Sequence, residues 1–460
     1  MSPEMIGVLM IGVMLFAIFV GFPISFTLIF LATVFGLWGV GGNWDFVFFL
    51  ETLQFSNAMM EQTLTAVPLF IFMGILMEQA GLMERLFLAV QLMLSRVRGS
   101  LYIAVLFVST IFAAATGIVG ASVTILGIMA AKTMNRSGYD VRLSAGTITA
   151  GGTLGILIPP SIMLVVMGPI LEVPVIDLFA AAIIPGFVMA MLYTAYALVR
   201  CNLNPSLGPA LPEELRAENM GVIVKEFCLG LIPPAALVGF ALGSILLGFA
   251  TPTEGAAVGA FGSFLLTVVY GKFKLKDFHT ALVKTLEISV LILFLVAASN
   301  FFGAVFSKLG TPQMLTEYLL DLDLPAYGIL LLIMALIFLL GWPLEWVPIV
   351  LIIVPILLPL VESLEFSGIL AEGNNRLIWF GILVAVNLQT AWLSPPVALS
   401  AYFLKGVVPE WDLKDIYIGM MQFMVIQLIG LLLIIAIPEI ALWLPNHLDE
   451  LAAAKRAAGN

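Results

Sequence analysis

Four short stretches of this chain set glycine, serine, threonine and asparagine inside otherwise apolar sequence. They are Thr116 to Thr124, Thr149 to Gly155 ahead of Pro159-Pro160, Gly341 to Val347, and Asn387 to Trp392 ahead of Pro395-Pro396. In an apolar medium a broken helix exposes backbone groups that cost several kcal/mol each when unpaired. Such breaks therefore persist only where they are buried in protein or face an ion or ligand. Unwound carbonyls and hydroxyl oxygens suit a hard cation such as sodium without burying a formal charge. On this reading Thr116, Ser122, Gly151 and Thr153 form one expected sodium site, and Gly341, Asn387, Thr390 and Ala391 a second. Half-helices that begin at such breaks present free amide hydrogens and a positive dipole end, which suits a carboxylate or a similar anion. Ser122, Gly152, Ser161, Glu345, Gln389 and Ser394 are the residues expected to line the anion. Taken singly, each small residue also serves close helix packing; the four clusters together carry the ligand reading.

Two carboxylates fall within apolar sequence, where a charge is expensive and is a functional candidate by default. Glu345 is expected at the tip of a membrane hairpin. Glu254, in Thr251-Pro252-Thr253-Glu254-Gly255, is expected to cap the helix that it begins. Glu78 and Glu287 are expected near helix ends. The two cysteines, Cys201 and Cys228, and the two histidines, His279 and His447, support neither a disulfide framework nor a metal cluster. Sodium is the only ion expected, with no organic cofactor. No nucleophile-base pair, two-histidine zinc motif or phosphate loop falls within the apolar runs, which argues against an enzyme. The net charge of −10 sits largely in loops and ends and carries no conclusion about acidic or basic partners; no nucleic-acid partner is expected.

The elements that must hold these residues follow from hydropathy. With 62% hydrophobic and 10% charged residues over 460, the chain has too little polar surface for a soluble globule and must be covered by lipid. Spans are expected near 4–22, 24–41, 64–80, 144–170, 176–199, 226–248, 251–270, 285–307, 378–404 and 415–440. The first is read as a retained helix, because no basic segment precedes it and no cleavage site follows. The runs 101–132 and 325–361 are too long for one span and are interrupted, so each reads as a re-entrant hairpin. With both hairpins returning to the side they enter from, 15 of the 19 basic residues collect on one face, which is then cytoplasmic. Ten crossings put both termini in the periplasm.

The two halves share punctuation at a shift of about 227 to 238 residues: Gly21-Phe22-Pro23 with Gly248-Phe249 and Pro252, Gly81 with Gly310, Pro159-Pro160 with Pro395-Pro396, and Asp177 with Asp415. Five crossings per half force the second copy upside down, an inverted repeat of the kind that secondary transporters use. The expected architecture is an all-α polytopic membrane protein with about ten crossings, two re-entrant hairpins and two broken helices. The first repeat covers 1–205, with an amphipathic arm at 82–98, hairpin 101–132 and broken helix 144–170. A cytoplasmic linker covers 206–225. The second repeat covers 226–445, with arm 311–324, hairpin 325–361 and broken helix 378–404, and a polar tail covers 446–460.

The segments Pro68-Leu69-Phe70-Ile71-Phe72-Met73-Gly74, Gly120-Ala121-Ser122-Val123, Gly151 to Ser161, Ala250 to Ala257 and Leu393-Ser394-Pro395-Pro396 carry a further reading. Through them the chain resembles, over nearly its whole length, the large DctM-like membrane subunit of tripartite ATP-independent periplasmic (TRAP) transporters, in the ion transporter superfamily. The resemblance implies sodium-coupled elevator transport in the bacterial inner membrane. It also implies a small four-helix membrane partner and a soluble periplasmic binding protein that delivers a small organic anion. Family substrates include C4-dicarboxylates, sialic and other sugar acids, 2-oxo acids and sulfonates. The stretch Asn387 to Thr390 looks more like members that handle small keto or hydroxy acids. The polar insert Asn202 to Glu218 departs from the family pattern. The competing reading is a stand-alone sodium/dicarboxylate symporter of the same fold, working without a binding protein.

Overall fold

The computed structural model describes residues 1–116, 119–210, 220–322, 324–395 and 398–457, and every regular element among them is helical. The first half runs α1 (Pro3–Val20), α2 (Ile24–Gly39), α3 (Trp44–Met60), α4 (Ala66–Gln79), α5 (Leu82–Met93), α6 (Ser100–Thr116), α7 (Val119–Arg136), α8 (Val141–Leu157), α9 (Ile162–Leu171) and α10 (Val175–Leu203). The second runs α11 (Met220–Leu246), α12 (Pro252–Val269), α13 (Leu275–Lys308), α14 (Thr311–Leu320), α15 (Ala326–Gly341), α16 (Trp346–Pro348), α17 (Val354–Ser363), α18 (Asn375–Leu393), α19 (Leu399–Val407), α20 (Leu413–Ala436) and α21 (Glu439–Ala457). A π-helical turn, Ile349–Ile353, joins α16 to α17. Among the described residues, nine helical stretches are long and apolar enough to cross a membrane, or ten when α8 and α9, bent by 42°, count as one.

Local chemistry sets several of these boundaries. At α12 the Thr251 side chain accepts from the Glu254 amide while the Glu254 carboxylate accepts from the Thr251 amide at 2.8 Å. This reciprocal cap contributes about 1 kcal/mol and gives Glu254 the role expected of it. Gly81 (φ 67°) and Gly310 (φ 74°) take left-handed conformations immediately before α5 and α14, so the same turn launches both amphipathic helices.

The contacts of one half reappear when the halves are exchanged. Helix α5 lies on α11, and α14 lies on α1. Gly230 lets the Leu86 backbone approach closely, and Gly7 makes room for the side chain of Thr311, whose hydroxyl donates to the Glu4 carbonyl at 3.1 Å. Helix α2 packs on α13 as α12 packs on α4; α6 and α7 pack on α8 as α15 and α16 pack on α18.

Four expectations need correction. Residues 44–60, left between the expected spans 24–41 and 64–80, form α3, whose Asp45, Glu51, Gln54 and Asn57 dilute its hydropathy without stopping the helix. The tail expected at 446–460 is helical as far as Ala457, where α21 packs on α10. The linker expected at 206–225 is shorter, since α11 starts at Met220; residues 211–219 lie outside the described residues. The third span of the second half begins at Leu275, ten residues before the expected 285, because Lys276, Asp277 and Lys284 extend α13 beyond its apolar part.

Candidate functional site: two interrupted helices and two hairpin tips

The first interruption lies at Ile158–Ser161, and the glycine-rich segment before it is helical. Pro159 and Pro160 lack the amide that would continue the ladder, and their rings clash with the preceding turn; the peptide between them is cis. Ser161 starts α9, and its hydroxyl donates to the Ile156 carbonyl, closing the gap. Gly151, Gly152 and Thr153 all lie inside α8, so their carbonyls belong to the helical ladder, contrary to the expectation of unwound ligands. Their small size has another use. A β-carbon on Gly151 would meet Ser109 Oγ of α6 at 2.6 Å, and one on Gly152 would strike Val123 of α7. Thr153 donates to the Ala150 carbonyl at 2.8 Å.

The second interruption repeats this displacement. Helix α18 is continuous through Asn387, Gln389, Thr390 and Ala391, which corrects the expected break there; the chain leaves the helix at Ser394 and resumes at Leu399. Ser394 donates to the Thr390 carbonyl at 2.7 Å, and Thr390 donates to the Asn387 carbonyl at 2.6 Å. Asn387 Nδ2 donates to the Met334 carbonyl of α15 at 2.7 Å, fastening the second hairpin to the broken helix.

The hairpin tips reach these same helices. Gly341 ends α15 against Ala391, 3.5 Å from its β-carbon when a side chain is built. Ser122, the fourth residue of α7, is buried beside the Val123–Gly152 contact. Gly120 and Gly127 bring α7 onto Phe403 and Leu404 of α19. Gly117 and Ile118, at the first tip, lie outside the described residues, as do the Thr116 side chain, Pro396 and Val397. Glu345 stands exposed at the second tip, at the N-cap position of α16, without a side-chain capping bond. The expected residues thus gather along α8, α18 and their hairpins, where those two helices pack together, while Ser161 and Ser394 are occupied in closing their own breaks.

Gln427 of α20 was missed by sequence reasoning. Its Nε2 donates to Gln389 Oε1 at 2.9 Å and to the Val386 carbonyl at 2.8 Å. Asn387 Oδ1, Gln389 Nε2 and Gln427 Oε1 are buried without partners, a polar residue of the packing that a ligand or water would satisfy. Glutamines within the apolar run Leu413–Ala436, Gln422 and Gln427, are the signal that could have found it. Across the interruptions and tips, Glu345 is the only formal charge in the described sequence. A cavity of about 540 Å³ lies apart from all of these residues, between α3, α13 and α14 on one side and α9 and α17 on the other.

A family model described as "Tripartite ATP-independent periplasmic transporter, DctM component" matches residues 11–440. Among similar characterised proteins, the C4-dicarboxylate TRAP transporter large permease protein DctM of Pseudomonas aeruginosa is 30% identical over 387 residues, covering 84% of this chain and 87% of that one. The sialic acid TRAP transporter large permease protein SiaM of Vibrio cholerae is 29% identical over 432 residues, covering 93% and 96%. Among solved structures, the YdaH transporter of Alcanivorax borkumensis shares the fold with a TM-score of 0.63 at 16% identity, over 94% of this chain and 97% of that one.

Proposed function

This chain belongs to the DctM component family of tripartite ATP-independent periplasmic transporters, and on that premise we propose that it is the large permease of a sodium-coupled importer of a small carboxylate or sulfonate. The family makes it a multi-pass transport protein for organic acids and not an enzyme. The relatives named for C4-dicarboxylates and sialic acid share one chemistry, the acid group, and that is what this chain takes. Its partners are a small four-helix membrane subunit and a periplasmic binding protein, in the inner membrane, with both termini periplasmic.

The observation that carries this reading is the matched pair of interrupted helices, each packed against a hairpin. The correction to the break positions changes how the site works. With Gly151, Thr153, Asn387 and Thr390 in regular helix, the cation is drawn to the carbonyl ends of α8 and α18, where the dipole is negative. The anion is drawn to the amide ends of α9 and α19. Ser122, Gly341 and Ala391 border the first pair of ends, and Ser161 and Ser394 the second; Glu345 stands at the second hairpin tip, before α16. No basic side chain is needed, because the bound sodium supplies the counter-charge.

The exchangeable contacts of the two halves support an inverted repeat and elevator-type movement. They also contain one asymmetry. Helix α9 is buried along nearly its whole length, whereas α19 exposes Tyr402 at 54% and Phe403 at 41%. With α9 towards the periplasm and α19 towards the cytoplasm, this fits a transport unit displaced inward. The test is uptake by proteoliposomes containing the complex, with and without a sodium gradient and binding protein, across a panel of organic acids. Accumulation that ignores the sodium gradient would remove the coupling, and accumulation without binding protein would favour the stand-alone symporter.

A further inference from the structure

A groove of about 470 Å³ runs along the outer surface of the bundle between α6 and α10. Ile103, Phe107 and Ile111 form one bank and Phe187, Met191 and Leu198 the other, with Phe187 and Met191 exposed. No charged residue lines it, and its two hydroxyls are spent within their own helices. Thr110 donates to the Leu106 carbonyl at 2.7 Å, and Thr194 to the Ala190 carbonyl at 2.8 Å. The groove therefore suits an apolar occupant. At 1.5 Å per residue it extends about 12 Å along α6 and about 16 Å along α10, about the depth of one leaflet of a 30 Å hydrocarbon core. Its volume over that length gives a mean section of about 30 Å², against about 80 Å² for a helix 10 Å across. An acyl chain fits, and a helix does not.

One end of the groove carries charge. Leu198 lies 3.7 Å from where a β-carbon on Gly99 would stand, so Arg98 sits at that mouth. Arg96 and Arg98 are exposed, flank the exposed Val97, and pair with no carboxylate among the described residues. The mouth is held in place: the Gly99 amide donates to the Gly208 carbonyl at 2.9 Å, and Tyr102 Oη donates to the Leu207 carbonyl at 2.7 Å. Guanidinium groups match phosphate oxygens in bidentate fashion.

We propose that this groove binds an anionic phospholipid, with one acyl chain between α6 and α10 and the phosphate at Arg96 and Arg98. The apolar banks alone accept any lipid, and the arginines select a net negative headgroup by up to about fivefold each. Phe107 stacks on Phe227 of α11, 6.3 Å between ring centroids, so the bound lipid also borders the helix on which α5 lies. The leaflet follows from the proposed cytoplasmic placement of the basic face; the site itself depends neither on sodium coupling nor on the transported acid.

The experiment uses the whole complex in phosphatidylcholine liposomes that hold a trace of phosphatidylglycerol with a photoreactive acyl chain, or of phosphatidylethanolamine with the same chain. Labelled peptides are then mapped by mass spectrometry. Residues 103–111 and 187–198 should take label from the anionic lipid about threefold or more over the zwitterionic one, and Arg96→Gln with Arg98→Gln should remove that preference. Ala195→Trp fills the groove from an exposed position, so both stretches should lose their label. Equal labelling by the two lipids, a preference that survives neutralisation of both arginines, or labelling untouched by Ala195→Trp would each overturn the site. Labelling that appears only once the small membrane subunit is left out would give the groove to that subunit and overturn it as well.

Discussion

Arg142 Nε lies 2.8 Å from Asp415 Oδ1, tying the first turn of α8 to the first turn of α20. Beside this pair the two helix backbones come close enough that a β-carbon on Gly419 would fall on the Arg142 carbonyl. The ion pair is half-exposed and adds little by itself, whereas the glycine contact admits no side chain. Asp415→Asn should therefore cost at most about 1 kcal/mol, and Gly419→Ala about 1 to 3 kcal/mol. Thermal unfolding in detergent should rank the two variants in that order, and equal losses would contradict it.

Sodium dependence gives a sharper test of the site. Ser122→Ala and Thr390→Ala each remove a hydroxyl beside the proposed cation, and each should raise the sodium concentration for half-maximal uptake about two- to tenfold. Unchanged sodium dependence in both would move the cation elsewhere and leave the fold intact.

Gln389 and Gln427 form a buried amide pair between α18 and α20. Removing one partner strands the other, so Gln389→Leu and Gln427→Leu should each cost about 1 to 3 kcal/mol, with the double variant costing less than the sum. Additive losses in a double-mutant cycle would show that the pair is not coupled.

The unequal burial of α9 and α19 predicts unequal access. Tyr402→Cys should react with a thiol reagent applied from the cytoplasmic side, while Val165→Cys, at a buried position of α9, should not. Equal reactivity at both positions would contradict the inward-displaced arrangement.

The sequence made the helices legible, and it misplaced the breaks for an identifiable reason. Gly151, Gly152 and Gly155 look like unwinding residues, since glycine weakens a helix. In a packed membrane bundle, however, the absence of a side chain is used for approach, as Ser109 and Val123 show. The interruptions fall instead at or beside the prolines: Pro159 and Pro160 in the first half, and the stretch after Ser394 in the second. Helix α3 escaped notice because Asp45 and Glu51 lower its hydropathy, although Asn43 accepts from the Phe46 amide at 3.1 Å and caps its start. Glu254 was readable because a capping box is local. The Gln389–Gln427 pair was not, because its partners lie 38 residues apart and only the packing brings them together.

The crossed seating of the two arms has a consequence for biogenesis. Leu86 rests against Gly230, and Thr311 reaches back to Glu4 and Gly7. A nascent chain that has emerged only as far as Leu203 holds α5 against α6 but without α11, its main bed, and α1 with one flank bare. The first half therefore enters the bilayer as an unfinished layer, and α1 is not clasped until residues past 310 have left the ribosome. A break in the chain near its middle should thus yield two fragments that assemble only when made together.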